Sequence, residues 1–468
     1  MFLPFSNSVF MCPDAQLSHD ELVALVLTFR DENTALKDEI AALTAENARL
    51  REELGKKSGP PPWVKANAPP REPQPRKKRE RGHSRKCVAE PDEVIEHAVD
   101  VCPDCGRALT GGWAYSSRES WVFPRETVRV VRHVSMARWC GACGRPVIGR
   151  PDPVEHGLVG QHRVDARGMS LIAYWRQVCR LPLRIIQQQL RQLYACALSL
   201  GELRYLLDAA ATRGQPDYDA LRAAIRGSPF VHLDETGGRE DGHNGFVWAA
   251  VTDVIRYFER HGTRSGEVPK ALLGEDFCGV VVCDGYKGYD PLACQLQRCW
   301  VHLLRHGHEI KVRSPDAVAA HAWVDGVRAI YDEAKARVAA PGYAELAESL
   351  REAQRLAFQR RLLAHAQPAV SSAIHEQACL AKYLTDYLHE LFVFVQYPEV
   401  PSENNAAERA LRPLVIARKI SGGTRSPQGS ITRMILMSLL HTALVRNLDP
   451  LAAVEQMLLG APMFPASA

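Results

Sequence analysis

Asp234 and Asp284 each close an apolar run and are followed closely by glycine, a pairing of residue types that can do chemistry. The first run reads Phe230-Val231-His232-Leu233-Asp234-Glu235-Thr236-Gly237-Gly238, the second Val280-Val281-Val282-Cys283-Asp284-Gly285-Tyr286. A short β-branched or aromatic run cut off by acids and glycine predicts a buried strand that delivers a carboxylate to its C-terminal mouth. Two such strand-end aspartates side by side suit a hard divalent cation. Mg²⁺ takes oxygen ligands, usually a few carboxylates plus water and substrate phosphate. Because side chains alternate along a strand, only one of Asp234 and Glu235 can face such a site, and Asp234 is the expected one.

A second constellation is built from cysteine. Cys102-Pro103-Asp104-Cys105-Gly106 and Cys140-Gly141-Ala142-Cys143-Gly144 are each a knuckle, in which glycine lets the backbone curl until both thiolates face one ion. Joined by a β-rich stretch over residues 121–139, with alternating Val128, Val130 and Val134, they predict a ribbon in which Cys102, Cys105, Cys140 and Cys143 hold one structural Zn²⁺. The other cysteines show no disulfide-like spacing, no secretory leader is evident and no run of about eighteen apolar residues suggests a membrane span. An intracellular, reduced protein is expected, in which paired cysteines are metal ligands.

The elements that must position these groups follow from the same chain. After the first strand, residues 245–252 and 254–259 predict two more strands, residues 268–273 a short helix, then comes the strand ending at Asp284, and residues 296–302 a strand leading into a helix. Three strands, helix, strand, helix, strand is the order of a ribonuclease-H-like α/β domain, placed here over residues 225–441 with a charged helical insertion at about 314–395. In the returning segment, Asn404 and Glu408 are expected one turn apart on one face of a helix, with Asn405, Arg409 and Arg412 on the neighbouring face. Residues 442–468 read as a C-terminal helical tail.

Upstream, beyond a tail at 1–16, residues 17–55 carry a heptad. Leu22, Phe29, Leu36, Leu43 and Leu50 share one seam position; Val26, Asn33, Ile40, Asn47 and Leu54 share the other. That pattern predicts a two-stranded parallel coiled coil and hence a homodimer. Residues 56–95 are a proline-rich linker carrying the basic run Arg76-Lys77-Lys78-Arg79, able to neutralise phosphates without reading sequence. With 58 basic against 54 acidic residues the overall balance says little, so this local run carries the argument. The ribbon is placed at 96–150. Residues 155–215 predict helix, turn, helix with Gln187, Gln188, Gln189, Arg191 and Arg204 exposed, a pattern that suits a helix-turn-helix DNA reader and equally an ordinary helical pair. The whole is a multidomain α+β chain.

Taken together, the Asp-Glu-Thr after the first strand, Cys283-Asp284-Gly285-Tyr286, Cys299-Trp300-Val301-His302 and Asn404-Asn405-Ala406-Ala407-Glu408-Arg409 resemble a transposase of the insertion-sequence-66 family over residues 17–445. Glu403 stands where that family would show aspartate, and Leu304-Arg305-His306-Gly307-His308 departs from its arginines and aromatic. The resemblance implies a DDE transposase in which Asp234, Asp284 and Glu408 are catalytic acids holding two Mg²⁺ (or Mn²⁺) ions. It would cut DNA at element ends and join the 3′-hydroxyl to target DNA by two-metal-ion transesterification. It also implies a nucleoid-associated bacterial location, accessory proteins encoded nearby, and DNA as partner. Lys287, Arg409, Arg412, Arg418 and Lys419 are the expected phosphate contacts. His302, His306 and His308 read as core or DNA-facing histidines. Two rivals stay open: a non-catalytic zipper and zinc DNA-binding regulator, and a structure-selective nuclease on the same fold.

Overall fold

The computed structural model describes residues 30, 31, 34, 35, 37–39, 41, 42, 44–46, 49, 100–108, 110, 127–140, 142, 143 and 145–464, in two compact units, Met1–Trp121 and Val122–Ala468. In the first unit, the described residues between 30 and 49 are helical and exposed, and Thr34 Oγ1 donates to the Arg30 carbonyl at 2.8 Å. The heptad seam positions and the basic run at Arg76, Lys77, Lys78 and Arg79 lie outside the described residues. The first knuckle is a closed turn. Cys102 N donates to Arg107 O and Gly106 N to Cys102 O, both at 2.9 Å, and Gly106 takes a φ of +71° that a side chain would strain.

The second unit begins with irregular chain and an antiparallel hairpin, β1 (Ala137–Cys140) and β2 (Arg145–Ile148), with Cys143 in its turn. The β-rich stretch expected over 121–139 is therefore displaced. Among the described residues Val128, Val130 and Val134 are exposed and outside any strand, and the pairing begins only at Ala137. Valine alternation alone does not make a strand when neither face is buried.

Three helices follow: α1 (Ala166–Gln177), α2 (Leu183–Tyr194) and α3 (Leu200–Arg226). Asp165 caps α1 and Ser199 caps α3, each side chain accepting an N–H of the first turn. The third helix continues past residue 215, where the helix-turn-helix region was expected to end, and through Pro216. Leu203, Leu206, Leu207, Ala210, Ala211, Tyr218, Leu221 and Ile225 recur at helical spacing and are buried. That burial outweighs the hydrogen bond lost at proline.

The sheet orders its strands β5-β4-β3-β6-β7, with β3 (Phe230–Glu240), β4 (His243–Val251), β5 (Arg256–His261), β6 (Val280–Cys283) and β7 (Gln295–Arg298). The first three form an antiparallel meander, and β6 and β7 add in parallel. Helix α4 (Glu267–Leu273) joins β5 to β6. Between β6 and β7, where a helix was expected, there is one 3-10 turn, Lys287–Tyr289. The order and the mixed pairing are consistent with a ribonuclease-H-like domain.

After β7 come α5 (Trp300–Arg313), α6 (Val318–Val338), α7 (Glu348–Ala366), α8 (His375–Asp386) and α9 (Val393–Gln396), which share a core of their own around Trp300, Trp323, Tyr331, Phe358 and Phe392. Helices α10 (Asn405–Ser421), α11 (Pro427–Val445) and α12 (Pro450–Leu458) close the unit. Val231 and Leu233 face the core shared with α3 and α12, while Val247, Ala249 and Val251 pack with Ala407, Leu411 and Leu414 of α10. Among the described residues no helix is long and apolar enough to cross a membrane.

Candidate functional site

Strand pairing brings the two aspartates together. In the parallel β3–β6 ladder Phe230, Val231 and His232 lie opposite Val280, Val281 and Val282, so the same register carried two residues on sets Asp234 level with Asp284. Alternation along β3 separates Asp234 from Glu235. The Glu235 side chain is 1% exposed and fully engaged, with Arg264 on Oε1 and the Tyr289 hydroxyl on Oε2 at 2.5 Å. Among the described residues Asp234 keeps only a backbone partner, the Glu235 N–H at 2.9 Å.

The helix that brings Glu408 is anchored by the residue just before it. Asn404 is 1% exposed and caps α10 instead of lying on its face as expected. Its Nδ2 donates to Leu233 O at 2.7 Å, its Oδ1 accepts from His232 Nδ1 at 3.0 Å, and its backbone N–H donates to Cys299 Sγ at 3.1 Å. The amide therefore holds the start of α10 onto β3 immediately before Asp234. From there Glu408 lies in the first helical turn, with His302 Nε2 at 3.5 Å from its Oε1. That oxygen is buried and has no hydrogen-bond donor among the described residues.

The loop carrying Asp284 is clamped from below. Arg298, 1% exposed, donates to the Asp284 and Tyr286 carbonyls at 3.1 Å each, reaches Asp290 Oδ1 at 2.5 Å and pairs with Glu390. Above it, Arg264 stacks 3.8 Å over the Tyr286 ring. Asp284 Oδ1 accepts the Tyr286 N–H at 2.9 Å.

Electrostatics report the convergence. Burial first, then Glu235 and Asp284 and more weakly Glu408, push the Asp234 carboxyl up to about 7. Burial also holds the His302 imidazole below its ordinary range, against the pull of Glu408. Among the described residues no three His, Cys, Asp or Glu side chains are gathered tightly enough to make a complete metal cage. Mg²⁺ does not ask for one, since it is commonly bound by one or two carboxylates with the rest supplied by water and phosphate. An orphaned Glu408 oxygen and an Asp234 pushed toward its neutral form are both groups that a divalent cation would satisfy.

The model of the family described as "Transposase IS66 family" matches residues 161–431, more than half of the chain. The chain belongs to the IS66 transposase family. The uncharacterized protein y4jD of Sinorhizobium fredii is 25% identical over 398 residues, 78% of this chain and 76% of its own length. The uncharacterized proteins y4qI and y4hP of the same organism are 25% and 22% identical, and the chain spans 43% and 53% of their lengths. As an IS66-family protein the chain is a DNA-processing protein, and the match spans the sheet together with α10, the elements carrying the three acids.

The remaining expected positions of this IS66-family chain scatter more widely. Lys287 is exposed on the turn after Asp284, and Arg412 is exposed on α10. Arg409 is exposed at a cavity lined also by Arg256, Phe258 and His441. Arg418 donates to the Gly237 carbonyl, and Lys419 is exposed in the last turn of α10. Cys102 and Cys105 lie in one unit and Cys140 and Cys143 in the other, all four thiols free. Backbone N–H groups of each knuckle lower the thiol of Cys102 and of Cys140, which favours the ligating thiolate. Sequence reasoning missed Arg264 and Arg298, which stand in no motif. It also left His302 as a core or DNA-facing residue, although Cys299-Trp300-Val301-His302 was visible as a motif.

Proposed function

We propose that the chain is a DDE transposase in which Asp234, Asp284 and Glu408 hold two Mg²⁺ or Mn²⁺ ions against a DNA phosphodiester, and in which one Zn²⁺ is held by Cys102, Cys105, Cys140 and Cys143. The observation that carries the catalytic reading is the register of β3 on β6 combined with the Asn404 anchor, which together bring acids from three distant segments within electrostatic reach. When bound, the ions would activate the attacking oxygen and stabilise the leaving one. The chain's own residues do the rest. Asp234 and Asp284 are fixed by strand geometry and by the Arg298 clamp, so little reorganisation remains at the moment of reaction. Glu235 is paired with Arg264 and accepts the Tyr289 hydroxyl, so it is already engaged and not free to act as a ligand. His302, kept neutral by burial, can accept or donate a hydrogen bond beside Glu408 without repelling a cation. Water would be the first nucleophile at an element end, and the freed 3′-hydroxyl the second, at target DNA.

Joining separates this reading from a nuclease. Pre-cleaved element ends incubated with target plasmid and Mg²⁺ should become covalently linked to it. Cleavage of intact ends with no joined product would assign a nuclease instead. Binding of ends with neither reaction would assign a regulator.

A further inference from the structure

Beside the stretch of β3 beyond its pairing with β6, the fold retains a buried cation that nothing among the described residues neutralises. Arg433 of α11 is 9% exposed and lines a small cleft. Among the described residues it has no carboxylate partner and no acceptor for its N–H groups. Burial, with Arg176 adding like charge, pushes its guanidinium down to about 10, so it still carries its charge at neutral pH. An unpaired buried charge is costly to keep, and a fold stable without a partner would more cheaply place an apolar side chain there.

The other charged residues of the lining have the same sign, and they stand beside the apolar Val247, Leu414 and Met434. Arg239, Arg260 and Arg418 contribute to the wall, and none of the lining residues is acidic. Those three are already engaged, with the Gly242 carbonyl, Glu240 and the Gly237 carbonyl respectively. Arg433 is left over. Thr424 and Ser430 also line it, their hydroxyls hydrogen-bonded to each other at 2.6 Å, with Thr424 Oγ1 3.4 Å from the Arg239 carbonyl oxygen. The wall can approach this closely because Gly423 holds a φ of +126°, and a Cβ there would come within 2.4 Å of the Arg239 carbonyl oxygen. An unpartnered guanidinium fork is the chemistry that recognises a phosphate group.

Position suggests where such a phosphate comes from. From Asp234 to Gly238 β3 advances about 13 Å at strand rise. From Glu408 to Arg418 α10 advances about 15 Å at helical rise. Both run from the acids to the cleft, and the Arg418 contact with Gly237 ties them together there. Phosphates of one DNA strand advance about 3.4 Å each along the helix axis, so the cleft lies about four nucleotides from the acids.

We propose that the Arg433 cleft is a phosphate-binding subsite that takes a DNA backbone phosphate about four nucleotides from the one facing Asp234 and Asp284. Only the source of the phosphate rests on reading the chain as a DNA-cutting enzyme. Two arms on the full chain test it, both with divalent metal chelated. In the first, inorganic phosphate or pyrophosphate at matched ionic strength should raise the melting temperature, and Arg433→Met should abolish the rise. In chloride alone Arg433→Met should melt no lower than wild type, which confirms that it folds. In the second, the slope of log affinity for duplex DNA against log salt should shallow by about 0.9 in Arg433→Met. Arg433→Lys, which keeps the charge and loses the fork, should retain the slope and weaken the phosphate protection, and it serves where the methionine variant does not fold. A shallower slope, with or without protection by the free anion, supports the proposal. Protection with an unchanged slope assigns the cleft to a free phosphate and overturns the DNA assignment. Neither effect overturns the site altogether. A chain that binds in this way and never cuts would contradict the catalytic reading while leaving this one standing.

Discussion

Asn404 shows how much of a catalytic reading can depend on a residue that does no chemistry. Its amide satisfies the Leu233 carbonyl and the His232 imidazole in a place water does not reach, and thereby ties the helix of Glu408 to the strand of Asp234. Leaving buried partners unpaired costs about 1–3 kcal/mol for each group. Asn404→Ala is therefore expected to destabilise the chain by about 2–4 kcal/mol in denaturant titration, and to slow cleavage at temperatures where the variant is still folded. Full stability in that variant would remove the anchor. Asp234 and Asp284 were legible from sequence because an apolar run that ends in acid and glycine has few other uses. Glu408 was not. A helical glutamate looks the same whether it faces solvent or a cation, and only the resemblance singled it out. The difference between Asn404 as a helix-face residue and as a cap is a matter of one residue, and patterns of side-chain type do not set helix boundaries that finely.

At the scale of elements, the sheet and its acids were readable and the helices around them less so. Strands β3, β4 and β6 contain β-branched residues, whereas β5 and β7 contain none, and residues 284–294 contain one 3-10 turn where a helix was expected. Helix α3 ran long because its buried stripe from Leu203 to Ile225 continues across Pro216. Helix α11 is buried along most of its length from Ser430 to Ala443, and it carries His441, whose Nε2 has no partner among the described residues. Burial pushes that imidazole down to about 4, aided by Arg180 and Arg256. A histidine with a folded pKa below its unfolded value of about 6.5 binds fewer protons when folded. Stability is accordingly expected to be level above that value and to fall as pH drops from about 6.5 toward 4. His441→Leu should flatten this fall in thermal melts taken across that window. An unchanged pH profile would mean that the ring is hydrated in solution.

At the scale of the molecule, the chain combines the IS66-family region over residues 161–431 with two cysteine knuckles before it. The zinc reading predicts about one equivalent of metal per chain, lost on Cys102→Ser and equally on Cys140→Ser, since a four-thiolate site fails when either knuckle does. Zinc retained in both variants would contradict it. The central claim is that Asp234, Asp284 and Glu408 work as a unit on DNA. Cleavage of duplexes bearing the element's terminal repeats, measured beside end binding for Asp234→Ala, Asp284→Ala, Glu408→Ala and the double variants, tests that claim most directly. Each single variant should bind ends and lose cutting, and the doubles should lose no more than the singles, because groups acting as a unit are not additive. A single variant that cuts at the wild-type rate would contradict the account.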